Sequence, residues 1–241
     1  MKLFLKRKPK LDMQNLPKSV AFIIDGNGRW ATERSMPRMF GHKAGIDSVI
    51  KTIDNSEAIG LKELTFFCFS TENWNRPKQE VDGLFNLFRD FLNKQANEYM
   101  HRNIQFKLCG DRLGIPQDIV KKVEELEEKT KNCTKMKVCL CINYGGRSDI
   151  VQAVNKCLKD GKKDITEAEF KKYLYTDGLA DPDLIIRTSG EQRISNFLLY
   201  QMAYSELYFT KTYWPDFDNK ELHNALKDFQ QRNRRFGAIK G

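Results

Sequence analysis

The sequence lacks any apolar run that could cross a bilayer: unbroken apolar stretches such as Val20 to Ile24 and Phe66 to Phe69 fall far short of the roughly 20 residues required. The N-terminal charge of Lys6, Arg7 and Lys8 follows a three-residue apolar patch rather than leading a long one, so no signal peptide is expected. A cytoplasmic protein is expected. None of the six cysteines forms a C-x-x-C pair, and most lie inside apolar runs, so they read as small core residues in a reducing compartment rather than as zinc ligands. No Pro/Gly/Ser-rich linker, repeat or low-complexity tract divides the 241 residues. One domain over 1–241 is expected, with 1–17 as a basic N-terminal segment. Acidic residues are outnumbered 32 to 41, and the net charge of +9 implies an anionic partner. Nucleic acid, anionic lipid and phosphorylated metabolites all satisfy that requirement.

What is present is an alternation of short β-rich runs with longer amphipathic ones. Residues 19–24, 63–69, 104–109, 137–142, 183–187 and 206–209 read as strands, and 43–58, 78–101, 117–130, 148–159 and 219–235 carry helical spacing. This predicts an α/β fold with a central six-stranded, mainly parallel sheet flanked by helices. Pro77 and Pro116 stand where a first helical turn tolerates proline. In 78–101, Val81, Leu84, Phe85, Phe88, Phe91 and Leu92 form one stripe, which either faces a core or lines a cavity for a long hydrocarbon. The charged run 121–131 reads as a solvated helix face.

Chemistry gathers where strands end. Asp25-Gly26-Asn27-Gly28-Arg29-Trp30 follows an apolar strand directly, at the sheet edge where open α/β folds bind ligands. Its glycines let backbone N–H groups approach a phosphate, while Asn27 and Arg29 add donors. Asp25 fits such company if a divalent cation bridges carboxylate and phosphate. The third glycine of G-x-G-x-x-G is missing and G-x-x-x-x-G-K-[ST] is absent, which disfavours a Rossmann cofactor and a P-loop nucleotide. Arg38 and His42 follow at a predicted helix start. A second cluster, Ser70-Thr71-Glu72-Asn73-Trp74-Asn75-Arg76, and a third, Arg187 to Asn196, also follow strands. Carboxylates are few, whereas Arg29, Arg38, Arg76, Arg187 and Arg193 carry charge for two diphosphates around one Mg²⁺ held by Asp25 and Glu206.

Asp25-Gly-Asn-Gly-Arg-Trp-Ala, Gly41-His-Lys-Ala-Gly, Phe69-Ser-Thr-Glu-Asn-Trp-Asn-Arg-Pro, Asn143-Tyr-Gly-Gly-Arg, the stretch from Asp183 through Gln201, Tyr208-Phe-Thr and Trp214-Pro-Asp-Phe occur in one order. In that order, from about residue 18 to 237, the chain resembles the cis-prenyltransferases, closely the bacterial undecaprenyl diphosphate synthases. The resemblance implies a Mg²⁺-dependent, homodimeric enzyme with a hydrophobic tunnel. It would add isopentenyl diphosphate units in cis geometry to farnesyl diphosphate, giving undecaprenyl diphosphate for the cell-wall carrier lipid, with transient contact at the inner membrane face. Carried over by position, Asp25 is the essential carboxylate and metal ligand, and Glu206 completes the metal site. Gly26, Asn27, Gly28, Arg29, Arg38 and His42 surround the allylic diphosphate, with Trp30 beside its isoprenoid end. Ser70, Thr71, Glu72, Asn73, Trp74 and Arg76 frame the condensation; Arg187, Arg193, Ile194 and Ser195 hold isopentenyl diphosphate.

Asn73 matches the position of proton removal, but an amide is a poor base, so it is expected to orient a diphosphate oxygen or water that takes the proton. A nucleic-acid-binding module would spread lysines and aromatics along one face instead of gathering arginines beside carboxylates at strand ends. A non-catalytic prenyltransferase subunit would lack Asp25 or the Arg187–Ser195 loop, and both are intact.

Overall fold

A computed structural model describes residues 10–234; residues 1–9 of the basic N-terminal segment, and Arg235, lie outside the described residues. The elements run β1 (Ser19–Ile23), α1 (Asn27–Glu33), α2 (Arg38–Ile59), β2 (Glu63–Ser70), a 3₁₀ turn (Thr71–Asn75), α3 (Lys78–His101), β3 (Ile104–Cys109), α4 (Gln117–Thr130) and β4 (Met136–Tyr144). They continue α5 (Gly146–Lys159), α6 (Glu167–Lys171), β5 (Leu184–Arg187), β6 (Glu206–Phe209), a second 3₁₀ turn (Trp214–Asp216) and α7 (Asn219–Gln231).

The six strands form one sheet in the order β3-β4-β2-β1-β5-β6, every neighbouring pair parallel. Parallel strands covered on both faces read as near-continuous apolar runs, which is how β1, β2 and β4 appear in the sequence. Side chains alternate between the faces. On one, Phe22, Leu64 and Phe66 pack with Val49 and Ile53 of α2, Phe88 and Leu92 of α3, Ile119 and Val123 of α4, and Leu222 and Leu226 of α7. On the other, Ile23, Phe67, Cys109, Cys139 and Cys141 pack with Tyr144, Leu179, Phe197 and Leu198. Cys157 is buried as well, and Cys68 and Cys133 are half-buried. The buried Asp149 is satisfied by Tyr144, Gln152, Gln201 and the backbone of Tyr175, which pins the loop after α6 to this face.

The register sets the site. Ile23 pairs with both Phe67 and Arg187, so β1 and β5 end level while β2 runs on to Ser70, and the loops after all three emerge side by side at the carboxyl edge. The helix boundaries of α2, α5 and α7 differ from the sequence reading, α5 starting at Gly146 rather than at 148. α2 starts at Arg38 rather than at 43, because Pro37, with φ −55°, sets the entry five residues sooner than the apolar periodicity begins. α7 ends at Gln231, and Arg232 is extended.

Candidate active site

Beyond β1 the chain passes through Asp25 and turns at Gly26, whose φ of 106° favours glycine; a Cβ there would also lie 2.7 Å from Tyr213. The turn leads into α1, which was not read from the sequence and whose N-terminus carries no side-chain cap. Gly26, Asn27, Gly28 and Arg29 border a cavity of about 660 Å³, which also takes in Arg38, His42, Ser70, Glu72, Asn73, Arg76, Arg187, Arg193 and Ser195. The loops after three strands and the start of α2 therefore meet in one place.

Asp25 is the hub of one half. Its Oδ2 accepts from Arg29 Nη2 at 3.1 Å and from Arg187 Nη2 at 3.0 Å. Burial pushes the Asp25 carboxyl up, but hydrogen bonds from Arg187 and Ser189 and the charges of Arg187 and Arg29 outweigh it, holding the group below its usual range. Arg187, 4% exposed, also donates from Nη1 to Ser195 Oγ at 2.8 Å and to the Arg193 carbonyl. Arg29 further bonds Ser189 at 2.5 Å and Glu191 at 3.0 Å, and Glu191 pairs with Arg193.

Glu80, in the first turn of α3, organises the other half. Its Oε1 lies 3.2 Å from Arg38 Nη2, His42 Nε2 and Arg76 Nη1. Sequence reasoning passed over Glu80, although its i,i+4 spacing from Arg76 is a usable signal. It also missed Ser189 and the linking role of Asn196, which donates to Glu72 at 2.9 Å and accepts from the N–H of Arg147, joining the loop after β5 to those after β2 and β4. With Glu80 and Glu191 in place, the cations are already partly paired, so carboxylates are less scarce here than expected.

Behind the polar cavity lies a narrow apolar one of about 90 Å³, bordered by Val49, Phe69, Leu84, Phe85, Phe88 and Phe91 among others. Ile24, Asn27, His42, Cys68 and Leu84 border both. A larger groove, about 950 Å³, runs along β3 and α5 and includes Lys107, Lys137 and Lys156, but none of the residues that line the Asp25 cavity.

Several expected residues are not brought to the cavity. Glu206 begins β6 beside Leu184, level with Val20 at the amino end of the sheet, whereas Asp25 lies past the carboxyl end. Glu206 pairs instead with Arg232 at 2.8 Å, so within this chain it does not join Asp25 in a two-carboxylate set. The Trp30 indole bonds Asp216 at 2.7 Å and lies under Arg34, away from the cavity lining. Trp74 acts as a brace: it donates to Asn143 at 2.8 Å and stacks on Phe85. Thr71 sits against Gly145, and Ile194 packs on the core. Asn73 accepts the Ser70 N–H through Oδ1 at 3.2 Å, which leaves its NH₂ as the group it can offer.

As a metal ligand, Asp25 is an ionised carboxylate among diphosphate-type donors, and no group of three or more His, Cys, Asp or Glu suited to a metal occurs among the described residues. That donor set fits Mg²⁺, which takes one or two carboxylates together with waters and substrate phosphates rather than an all-protein cage.

Residues 23–237 match the family model described as undecaprenyl diphosphate synthase. An isoprenyl transferase of Fusobacterium nucleatum is 50% identical over 227 residues, spanning 94% of this chain and 98% of that protein. One from Thermotoga maritima is 46% identical, spanning 93% and 98%. The crystal structure of lavandulyl diphosphate synthase from Lavandula x intermedia, in complex with dimethylallyl diphosphate, superposes with a TM-score of 0.88 at 37% identity, over 92% of this chain and 98% of that one. A probable undecaprenyl diphosphate synthase from Campylobacter jejuni does so at 0.78 and 32%, over 92% and 99%.

Proposed function

This chain belongs to the undecaprenyl diphosphate synthase family and is a cis-prenyltransferase, and from that membership we propose that it condenses isopentenyl diphosphate units onto farnesyl diphosphate to make a long polyprenyl diphosphate, undecaprenyl diphosphate being the expected product. The observation that carries the reading is a cavity lined by Asp25 together with Arg29, Arg38, Arg76, Arg187 and Arg193, which shares a wall with a phenylalanine-lined cavity. An allylic diphosphate as the first substrate gains support from the dimethylallyl diphosphate bound in the lavandulyl diphosphate synthase.

In this reading Arg29, Arg38 and Arg76, with the backbone of the Gly26–Gly28 turn, receive the allylic diphosphate. Arg187, Arg193 and Ser195 hold the isopentenyl diphosphate. The double bond of the second substrate attacks the allylic carbon, the carbon–oxygen bond to diphosphate breaks, and charge grows on the departing oxygens. The arginines already face that charge and need no reorganisation. Mg²⁺, held by Asp25, would add Lewis-acid stabilisation to the same oxygens. A proton then leaves the carbon beside the new cationic centre, and its C–H electron pair becomes the new double bond. Asn73, with its oxygen occupied by Ser70, orients the acceptor through its NH₂ rather than taking the proton itself.

The growing hydrocarbon enters between α3 and the sheet, and each five-carbon unit buried gains about 4 kcal/mol. The 90 Å³ space accommodates little of a long product, so elongation requires Phe85, Phe88 and Phe91 to yield, and release is slow. A single catalytic domain acting as a homodimer is part of the proposal: α5 exposes Val151, Val154 and Leu158 on one face, a stripe suited to a second copy. No helix among the described residues is long and apolar enough to span a membrane, which is compatible with transient contact at the cytoplasmic membrane surface.

The test is to incubate the purified protein with labelled isopentenyl diphosphate, farnesyl diphosphate and Mg²⁺ and to measure lipid product length. Chain elongation that is lost in Asp25→Ala is expected; no elongation by the wild type overturns the substrate assignment.

A further inference from the structure

We propose that Glu80 is a positioning residue for the reaction: it grips Arg38 and Arg76 by one edge and His42 by Nε2, so that both guanidiniums present their other edge to the allylic diphosphate. The inference rests on the reading of the cavity as a diphosphate site. Arg38 commits Nε and Nη2 to Glu80, each at 3.2 Å, and keeps Nη1; Arg76 commits Nη1 and keeps Nε and Nη2. One carboxylate therefore orients two forks without using up their donors.

A second contact fixes Arg38 independently. Its Cζ, Nη1 and Nη2 lie within 2.7–2.9 Å of where a Cβ on Gly28 would stand, so the guanidinium is laid against bare backbone at the first turn of α1. The Arg38 side chain is 55% exposed, and without both contacts so long a side chain would sample many rotamers. Glu80 itself is 12% exposed and sits on a 24-residue helix, a rigid base for the grip. Its place in the first turn of that helix also favours its negative charge.

The bond to His42 has a chemical consequence. An ionised carboxylate only accepts, so the imidazole must carry its proton on Nε2 and leave Nδ1 bare. Burial lowers the His42 pKa, and the charges of Arg76 and Arg38 add to that against the opposing bond from Glu80. His42 is thus held toward its neutral form, and two guanidiniums with one carboxylate leave the grip a net charge of +1 rather than +2.

The test measures binding of inorganic pyrophosphate with Mg²⁺ to the full chain by calorimetry, in wild type, Glu80→Gln and Glu80→Asp. Wild type binds, Glu80→Gln weakens binding at least tenfold, and Glu80→Asp recovers to within threefold of wild type. Binding by Glu80→Gln as tight as wild type, or tighter, overturns the proposal, because Glu80 would then be a bystander or a competitor for the arginines. Failure of the wild type to bind pyrophosphate overturns instead the diphosphate reading of the cavity. In steady state, Glu80→Gln raises KM for the allylic substrate at least tenfold while KM for isopentenyl diphosphate moves less than threefold; equal shifts in both count against a specific role. Nitrogen NMR of His42 in the wild type needs no variant to fold: the Nε2–H tautomer is expected, and the Nδ1–H tautomer overturns the proposal.

Discussion

Asp25 shows how one side chain is held between two demands. Partial burial disfavours its charge, and two guanidiniums and a hydroxyl restore it. Because its folded pKa lies below the usual 3.8, the unfolded chain takes up its proton first as pH falls. The stabilisation from Asp25 is therefore complete above about pH 4 and is lost as pH drops through the folded value. Asp25→Asn is expected to remove this part of the acid-unfolding profile, measured by circular dichroism at stepped pH, and to lower turnover by about a hundredfold or more. It also leaves the buried Arg187 without its carboxylate, a loss of about 2 kcal/mol in denaturant unfolding. Both effects come from one pair, so retained turnover with lost stability would separate the structural contact from the chemistry.

Among the elements, the turn from β1 into α1 and the inner face of α3 decide most. Gly26→Ala places a side chain at φ 106° and within 2.7 Å of Tyr213, so it is expected to cost about 2 kcal/mol in thermal or chemical unfolding. Wild-type stability in that variant would mean that the turn relaxes freely. Cys68 borders both cavities and is the smallest side chain in their shared wall, beside Ile24, Asn27, His42 and Leu84. Cys68→Phe is expected to shorten the product distribution, read by chromatography of labelled lipids, while initial condensation persists; an unchanged distribution would remove the apolar cavity from the path of the chain. Helices α3 and α4 were legible to the residue, because Pro77 and Pro116 mark their starts and their apolar stripes are continuous. Helix α1 was not: the Asn27-Gly28 pair that opens it has low helix propensity, and the segment is helical because Gly26 redirects the chain and Ala31 packs in the core.

At the scale of the molecule, the exposed stripe on α5 leads to an assembly prediction. Val154→Glu combined with Leu158→Glu is expected to convert the proposed dimer to a monomer in sedimentation analysis while the circular dichroism spectrum of the folded chain is kept, because both positions are on the surface of the single chain. A dimer that survives would place the contact elsewhere. Net charge belongs to this scale too. The +9 surplus pointed to an anion, yet the cations that matter are arginines gathered at one sheet edge, while Lys107, Lys137 and Lys156 line a separate groove.

The sequence by itself determined the sheet, its parallel sense and the strand ends at which the candidate residues stand, because burial on both faces demands apolar runs and short loops inherit their position from them. Arg187, Ser70 and Asp25 could be assigned to one edge on that ground alone. Only the tertiary structure decided which of the named residues meet. It grouped Arg38, His42 and Arg76 around Glu80, turned Trp30 outward to Asp216, and left Glu206 with Arg232 at the far end of its strand. A linear pattern records which residues follow a strand; it does not record strand register or the carboxylate that reaches across from a neighbouring helix, and those two quantities set the distances on which the site depends.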